Sequence, residues 1–156
     1  MFNAQFMNLA LEQARNAMNQ DEVPVGCIIV NNNTKEIVSK SYNLVESYNV
    51  SIFHAEMLAI YFASRKLKQK YLTECSMYVT LEPCIMCSQA ISKARLKNLY
   101  FAALEPKQGS IESNIGYFNT DYCLYKPNIY SGIKEEEASI LLKDFFSRLR
   151  KSKKTK

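Results

Sequence analysis

Residues 77–87 read MYVTLEPCIMC and join a short predicted strand, Met77–Leu81, directly to the start of a helix. Pro83 fits the first turn of this helix. Cys84 and Cys87 are three positions apart, so both sulfurs leave the same side of that turn. The positive end of the helix dipole favours their thiolate forms. The stretch therefore predicts a strand–helix unit with two paired thiolates at its junction.

A second short motif is His54-Ala55-Glu56, which opens another predicted helix. His54 is the only histidine of the chain. Its imidazole and the thiolates of Cys84 and Cys87 form a donor set suited to tetrahedral Zn²⁺. Two thiolates and Zn²⁺ sum to about zero charge, which a partly buried site tolerates. We therefore predict that these three side chains bind one zinc ion per subunit.

Three protein ligands leave the fourth zinc position open for water. Bound zinc lowers the pKa of that water from ~15.7 towards ~7, so hydroxide is available at neutral pH. The order H-x-E…P-C-x-x-C resembles the signature of zinc nucleobase deaminases. Glu56 is therefore predicted to be the catalytic proton shuttle: it takes the proton of the water, protonates a ring nitrogen and helps ammonia leave.

Two other interpretations of these residues are open, and both are less favoured. Cys84 and Cys87 can be ordinary buried thiols, and His54 a core histidine with satisfied hydrogen bonds. Alternatively, the zinc site can be closed and structural, with a fourth ligand from one of the other cysteines, Cys27, Cys75 or Cys123. A structural site leaves Glu56 and Pro83 without a role, and packing is the expected role of Cys27 in its apolar strand.

The rest of the chain alternates helix and strand patterns, which predicts a three-layer α/β/α domain. Helices are expected at 2–19, 54–67, 83–94 and 134–149, a short helix near 111–118, and strands at 23–30, 36–42, 77–81, 99–104 and 129–131. A turn at 31–34 makes the first two strands a hairpin. The closing helix has one apolar face that is expected to be core, formed by Ala138, Leu141, Leu142, Phe145, Phe146 and Leu149.

The 156 residues contain no linker or repeat, which predicts one domain at 1–150 followed by a basic tail at 151–156. The composition, 47% hydrophobic and 22% charged, is ordinary for a soluble globular protein. No apolar run reaches the ~18 residues that cross a bilayer, and the N-terminus lacks the pattern of a signal peptide. The odd number of cysteines argues against a disulfide framework. We therefore expect a cytoplasmic protein without a membrane partner.

The net charge of +5 is concentrated at the C-terminus. Removing six basic residues near this end from the 20 in the chain leaves 14 basic against 15 acidic residues; the six are Arg148, Arg150, Lys151, Lys153, Lys154 and Lys156. Such a cluster can contact phosphates. A solvated, frayed end is the favoured interpretation, because chain termini are usually disordered.

The motifs resemble those of the bacterial tRNA-specific adenosine deaminases, a branch of the cytidine deaminase superfamily. The resemblance is carried by residues 22–27 (EVPVGC), 54–56 (HAE), 81–87 (LEPCIMC) and 141–146 (LLKDFF) with the basic end. It covers most of the chain, from the first helix to about Arg150. The zinc motif is common to the superfamily, whereas the L-E-P-C-x-M-C form and the ending point more narrowly to the tRNA branch.

This resemblance implies a mixed five-stranded sheet flanked by helices, working as a homodimer. It also implies hydrolysis of adenosine to inosine at the wobble position of a tRNA anticodon, with the base flipped out of the loop into a pocket. Asn43 would hydrogen-bond the purine, while Val25, the backbone at Ala55 and the Leu81–Pro83 turn, including Pro83, would complete its site. Without the resemblance, Asn43 reads as a turn asparagine.

The chain departs from the family in two segments that help to hold the anticodon loop. Where the family usually has R-D-P-K-x-G, residues 104–109 read LEPKQG, which replaces the cationic residue with Leu104. Where relatives have Asn-His before a basic residue, residues 124–126 read LYK, and Tyr125 can stack on an unpaired base. Alternatively, Tyr122 and Tyr125 merely pack. The candidate RNA contacts are Glu105, Lys107, Tyr125, Lys126, Arg148 and Arg150.

Two other functions are compatible with the motifs. One is deamination of a free base or nucleotide, such as cytosine, guanine or deoxycytidylate. The other is a non-catalytic, zinc-binding RNA partner of a catalytic subunit. Such partners commonly lose the glutamate, so the presence of Glu56 ranks this function last.

Overall fold

The computed structural model describes residues 2–154 and, of Phe2, the backbone alone. The helices are α1 (Phe2–Met18), α2 (Val45–Tyr48), α3 (Ala55–Leu67), α4 (Ile85–Ala94) and α5 (Glu135–Lys154). The strands are β1 (Gly26–Asn31), β2 (Ile37–Tyr42), β3 (Cys75–Leu81), β4 (Asn98–Ala103) and β5 (Asn128–Ser131). No helix within this range is both long and apolar enough to span a bilayer.

The five strands form one mixed sheet in the order β2-β1-β3-β4-β5. β1 is antiparallel to both β2 and β3, whereas β3, β4 and β5 run parallel. The β1–β2 hairpin turns at Asn31, whose side-chain Oδ1 accepts hydrogen bonds from the backbone N–H groups of Asn33 and Thr34. The mixed five-stranded sheet confirms the expected fold.

Alternate residues of the central strands face two separate cores. On one face, Cys27 and Ile29 of β1 pack in a cluster that includes alanines of α3 and Ile91 of α4. On the other face, Ile28 of β1 packs with α1 and α5. Because successive strand residues point to opposite faces, strands that are buried throughout require helices on both sides. The three-layer prediction is thus confirmed.

Three predicted element boundaries are wrong. Val23–Val25 lies before β1, where it forms a turn closed by the hydrogen bond from Val25 N–H to the Val23 carbonyl. Pro83 precedes α4, because Cys84 is its N-cap and the Pro83 carbonyl accepts a hydrogen bond from Ser110. Only a 3₁₀ turn, Tyr117–Asn119, forms near the helix expected at 111–118, because backbone N–H groups at 111–113 donate to a carboxylate instead of to helical carbonyls.

The C-terminal helix is longer and more exposed than expected. Within its apolar face, Ala138 and Phe145 are buried, but Phe146 and Leu149 are 41% and 40% exposed, so the all-core prediction is wrong. Residues 151–154 are solvated but helical, which corrects the expected fraying. Lys and Arg are good helix formers and are favourable at a helix C-terminus. Residues 155 and 156 lie outside the described range.

Candidate active site

Two helices begin side by side at the carboxyl end of β3. His54 is the N-cap of α3 and Cys84 is the N-cap of α4. Both residues have extended backbone conformations, and neither side chain forms a capping hydrogen bond. The imidazole and the thiol are therefore free to point towards each other, between two helix N-termini that favour negative charge.

His54, Cys84 and Cys87 form a compact cluster. The Nδ1 atom of His54 lies 3.7 Å from the Cys84 sulfur and 3.6 Å from the Cys87 sulfur. All three potential ligand atoms lie within 4.8 Å of one another. Zinc bonds of ~2.0–2.1 Å to nitrogen and ~2.3 Å to sulfur give tetrahedral ligand–ligand edges of about 3.5–3.8 Å. The nitrogen–sulfur distances therefore fit a zinc ion.

The other three cysteines lie outside this cluster. Cys27 is buried in β1, Cys75 begins β3, and the Cys123 thiol donates a hydrogen bond to the Tyr125 carbonyl. Between residues 2 and 154, His54, Cys84 and Cys87 form the only group of three or more histidine, cysteine or acidic side chains placed to hold a metal. A closed zinc site with a fourth cysteine is therefore not supported.

The pKa values of Cys84 and Glu56 fit zinc binding and proton transfer. Hydrogen bonds with Cys87 and then with His54 lower the pKa of the Cys84 thiol to about 4, so it ionises readily. Burial raises the pKa of the Glu56 carboxyl to about 7. A carboxyl group with this pKa can take up and release a proton near neutral pH. Cys84 and Glu56 thus have suitable acid–base properties, whereas the hydrogen bond with Cys84 and burial raise the pKa of the Cys87 thiol, and the hydrogen bond with Cys84 also raises the pKa of His54.

A cavity of about 260 Å³ opens beside the cluster, with His54, Cys84 and Glu56 in its wall. Val25, Asn43 and Ala55, predicted to contact substrate, also line it, whereas Pro83 does not. Drug-sized ligands usually occupy pockets of ~300–1,000 Å³, so this cavity suits one small heterocycle. Leu81 and Glu82 of the predicted Leu81–Pro83 turn line the cavity as well. Four further residues of the wall were not predicted from the sequence, Val23, Val45, Glu46 and Gln108.

Glu82 has a structural role that the sequence motif did not predict. Its buried carboxylate accepts hydrogen bonds from the backbone N–H groups of Glu105, Ile111, Glu112 and Ser113 and from the Ser113 hydroxyl. Burial raises its pKa, but the hydrogen bonds from Ser113 and the backbone outweigh this and lower the pKa overall. The residue thus anchors the loop that brings Glu105 and Gln108 to the cavity.

The candidate RNA contacts lie at several places. Glu105 lines the cavity, and Lys107 lines a neighbouring groove of about 550 Å³. Tyr125 is half-buried, with its backbone N–H bonded to Ser92, and Lys126 binds the side chain of Asn119. Arg148 and Arg150 are exposed on α5. Tyr122 is 83% exposed, so the interpretation that it merely packs is wrong.

The arrangement is that of the zinc-binding nucleobase deaminases, with the three potential metal ligands and the glutamate at two helix N-termini beside a mixed sheet. Residues 2–103 match the family described as the cytidine and deoxycytidylate deaminase zinc-binding region. Within it, the chain belongs to the family of the tRNA-specific adenosine deaminases. The tRNA-specific adenosine deaminase of Rickettsia bellii (strain RML369-C) is 46% identical over 144 residues, covering 92% of this chain and 99% of the relative.

Solved structures are similar over much of the chain. A tRNA:A34 deaminase, studied for A-to-I editing at the wobble position of transfer RNA, has a TM-score of 0.85 and 40% identity. The match covers 88% of this chain and 99% of that one. A guanine deaminase from Bacillus subtilis has a TM-score of 0.61 and 34% identity, covering 64% of this chain and 63% of that one.

Proposed function

We propose that this chain hydrolyses adenosine to inosine at the wobble position of a tRNA anticodon. We call the group formed by His54, Cys84 and Cys87 the zinc-type cluster. The observation that carries the proposal is that Glu56 and two members of this cluster, His54 and Cys84, line the same base-sized cavity. The similarity to tRNA-specific adenosine deaminases over nearly the whole chain supports adenosine in tRNA as the substrate.

His54, Cys84 and Cys87 would hold one Zn²⁺ per subunit. When bound there, the ion supplies the Lewis acidity that makes water a nucleophile near neutral pH. The imidazole adds a neutral ligand, and the thiolates balance the metal charge. The two helix N-termini stabilise those thiolates.

Glu56 would move the protons. Its carboxylate accepts a proton from the attacking water and delivers it to a nitrogen of the adenine ring, as the new carbon–oxygen bond forms at C6. The second proton then passes to the exocyclic amine, which leaves as ammonia when the C6–N6 bond breaks. Water and adenosine are thereby converted to inosine and ammonia without net change in oxidation state.

The cavity wall would orient the flipped base. Ala55 is the first residue of α3, so its backbone N–H lacks an acceptor within the helix and can donate to the purine. Asn43 offers a carboxamide, and Val25 an apolar contact. The Leu81–Pro83 turn would act through Leu81 and Glu82, which line the cavity.

The remaining contacts would bind the anticodon arm outside the cavity. Lys107 and Lys126 would face phosphates, while Glu105 would hold its loop and Tyr125 would stack on an unpaired base. Arg148 and Arg150 would add phosphate contacts from α5. RNA affinity of this kind depends strongly on salt concentration.

We also propose a homodimer in the cytoplasm. The exposed apolar side chains of Ile52, Ile85 and Ile115 line the groove beside the cavity, where a second copy would cover them. All five cysteines are free thiols, which suits a reducing compartment.

The direct test is incubation of the purified protein with an anticodon stem-loop that has adenosine at the wobble position, followed by mass analysis of the nucleosides. We expect new inosine, and Glu56→Ala should abolish its formation while zinc content stays at about one per chain. Activity that survives this substitution would exclude Glu56 as the proton shuttle. A wild-type protein that binds zinc and RNA but makes no inosine would instead be a non-catalytic subunit.

A free purine base is the second candidate substrate. It is favoured by the small cavity and by the similarity to the guanine deaminase from Bacillus subtilis. Ammonia release from a panel of free bases, nucleosides and the stem-loop separates the candidates. Turnover of free bases with no reaction on the RNA would replace the proposed substrate.

A further inference from the structure

Glu22 is a fully buried carboxylate that the proposed chemistry does not use. It follows the end of α1 and does not line the cavity. The only salt bridge within residues 2–154 joins Lys134 and Glu137, so no cation compensates Glu22. A buried charge of this kind is tolerated only where several hydrogen bonds satisfy it.

Three N–H donors satisfy the Glu22 carboxylate. Oε2 accepts from the side-chain Nδ2 of Asn43 at 3.2 Å and from the backbone N–H of Glu46 at 3.2 Å. Oε1 accepts from the backbone N–H of Ser47 at 2.6 Å. The last two donors belong to the first turn of α2, whose own N-cap residue, Leu44, provides no side-chain hydrogen bond. Glu22 therefore caps α2 from a distant part of the chain.

The bond to Asn43 also determines which way its carboxamide points. A carboxylate accepts hydrogen bonds and donates none. The amide nitrogen of Asn43 must therefore face Glu22, which leaves Oδ1 directed away from it as an acceptor. Asn43 is itself buried in the cavity wall, next to Val45 and Glu46 of the helix that Glu22 caps.

We propose that Glu22 is the positioning residue of the base site: it orients the Asn43 carboxamide and holds the α2 segment of the cavity wall. The inference rests on the proposed function. Glu22 acts on the base indirectly, through Asn43. Because RNA affinity comes mostly from phosphate contacts outside the cavity, loss of this orientation should lower kcat more than it changes KM.

The test is a double-mutant cycle of Glu22→Gln and Asn43→Ala on the anticodon stem-loop. Glutamine keeps the shape of Glu22 but introduces an amide N–H donor, whereas the groups that face residue 22 are all donors. The Asn43 carboxamide should therefore rotate by about 180° so that its oxygen faces residue 22. We expect each single variant to lower kcat about 10-fold to 100-fold, with KM within about 3-fold. In the Asn43→Ala background, Glu22→Gln should lower kcat by less than about 3-fold more.

Zinc content and melting temperature provide the structural readouts, and Glu12→Gln, the same change on the exposed face of α1, is the matched control. Wild-type kcat in Glu22→Gln would overturn the inference. An equal loss of kcat from Glu22→Gln in both backgrounds would overturn it as well, since Glu22 would then act independently of Asn43. If the wild-type protein forms no inosine, the proposed function fails instead.

A second variant keeps the test decisive if Glu22→Gln folds poorly. Asn43→Asp retains the size of the side chain but removes the donor to Glu22 and places two carboxylates face to face. We expect a loss of kcat as large as in Asn43→Ala. Full activity of Asn43→Asp would show that the bond to Glu22 is not needed.

Discussion

Gly109 packs directly against the carboxylate of Glu82, so closely that a Cβ atom at residue 109 would overlap it. The same Cβ would overlap the carbonyl of Glu105. The contact joins the strand–helix unit with the two thiolates to the loop that carries Glu105 and Gln108 into the cavity. The buried carboxylate of Glu82 therefore connects the segment that carries Cys84 and Cys87 to the loop that faces the cavity.

Gly109→Ala should push this loop away from Glu82. We expect the free energy of unfolding to fall by about 1–3 kcal/mol, because the added methyl group overpacks the site. Turnover of the stem-loop should also fall, since Glu105 and Gln108 move. Gly116→Ala is the control: its added Cβ would lie 3.8 Å from the carbonyl oxygen of Ile111, an ordinary contact, but its φ of +63° costs about 1–2 kcal/mol without touching the cavity. Equal kcat/KM in the two variants would contradict this role of Gly109.

Glu82→Gln should destabilise the protein, because an amide cannot accept all of the bonds that the carboxylate accepts. One or more buried N–H groups then lose their partner, at a cost of about 1–3 kcal/mol each. Chemical denaturation measures the loss. Glu112→Gln, at an exposed neighbouring residue, should change the free energy of unfolding by less than about 0.5 kcal/mol. A similarly small change in Glu82→Gln would mean that the loop keeps its conformation without the hydrogen bonds of Glu82.

Zinc content tests the three-ligand site. Cys87→Ser should reduce bound zinc to a small fraction of one per chain, because a serine hydroxyl does not replace a thiolate ligand of zinc. Cys123→Ser and Cys75→Ser are matched controls, since both residues lie outside the cluster, and they should retain about one zinc. Metal analysis of dialysed protein gives the ratio. Zinc loss in either control would indicate a fourth cysteine ligand.

The combined variant Arg148→Gln/Arg150→Gln should weaken RNA binding and its salt dependence. Removing two phosphate contacts should reduce the slope of log K against log salt concentration by about 1.4–1.8. Binding of the stem-loop at several salt concentrations measures this slope. Lys93→Gln/Lys97→Gln is the control, because these exposed residues lie at the other end of the sheet. The same slope in both variants would remove α5 from the RNA interface.

Much of the site could be predicted from local sequence, because the chemistry depends on short spacings. Cys84 and Cys87 must lie on one side of a helical turn, and Glu56 must lie beside His54, wherever these helices are in the fold. The strand–helix alternation similarly predicts the three layers. The same reasoning failed at 111–118, where the apolar residues suggest a helix but the backbone donors belong to Glu82.

The sequence by itself determined the chemical groups: one imidazole, two neighbouring thiols and a glutamate, each at the start of a helix. Only the tertiary structure decided that His54 meets Cys84 and Cys87 across about thirty residues of chain. It also decided that Glu22 reaches the side chain of Asn43. The physical reason is that spacing and periodicity act over one or two helical turns, whereas these contacts require the packing of the whole sheet.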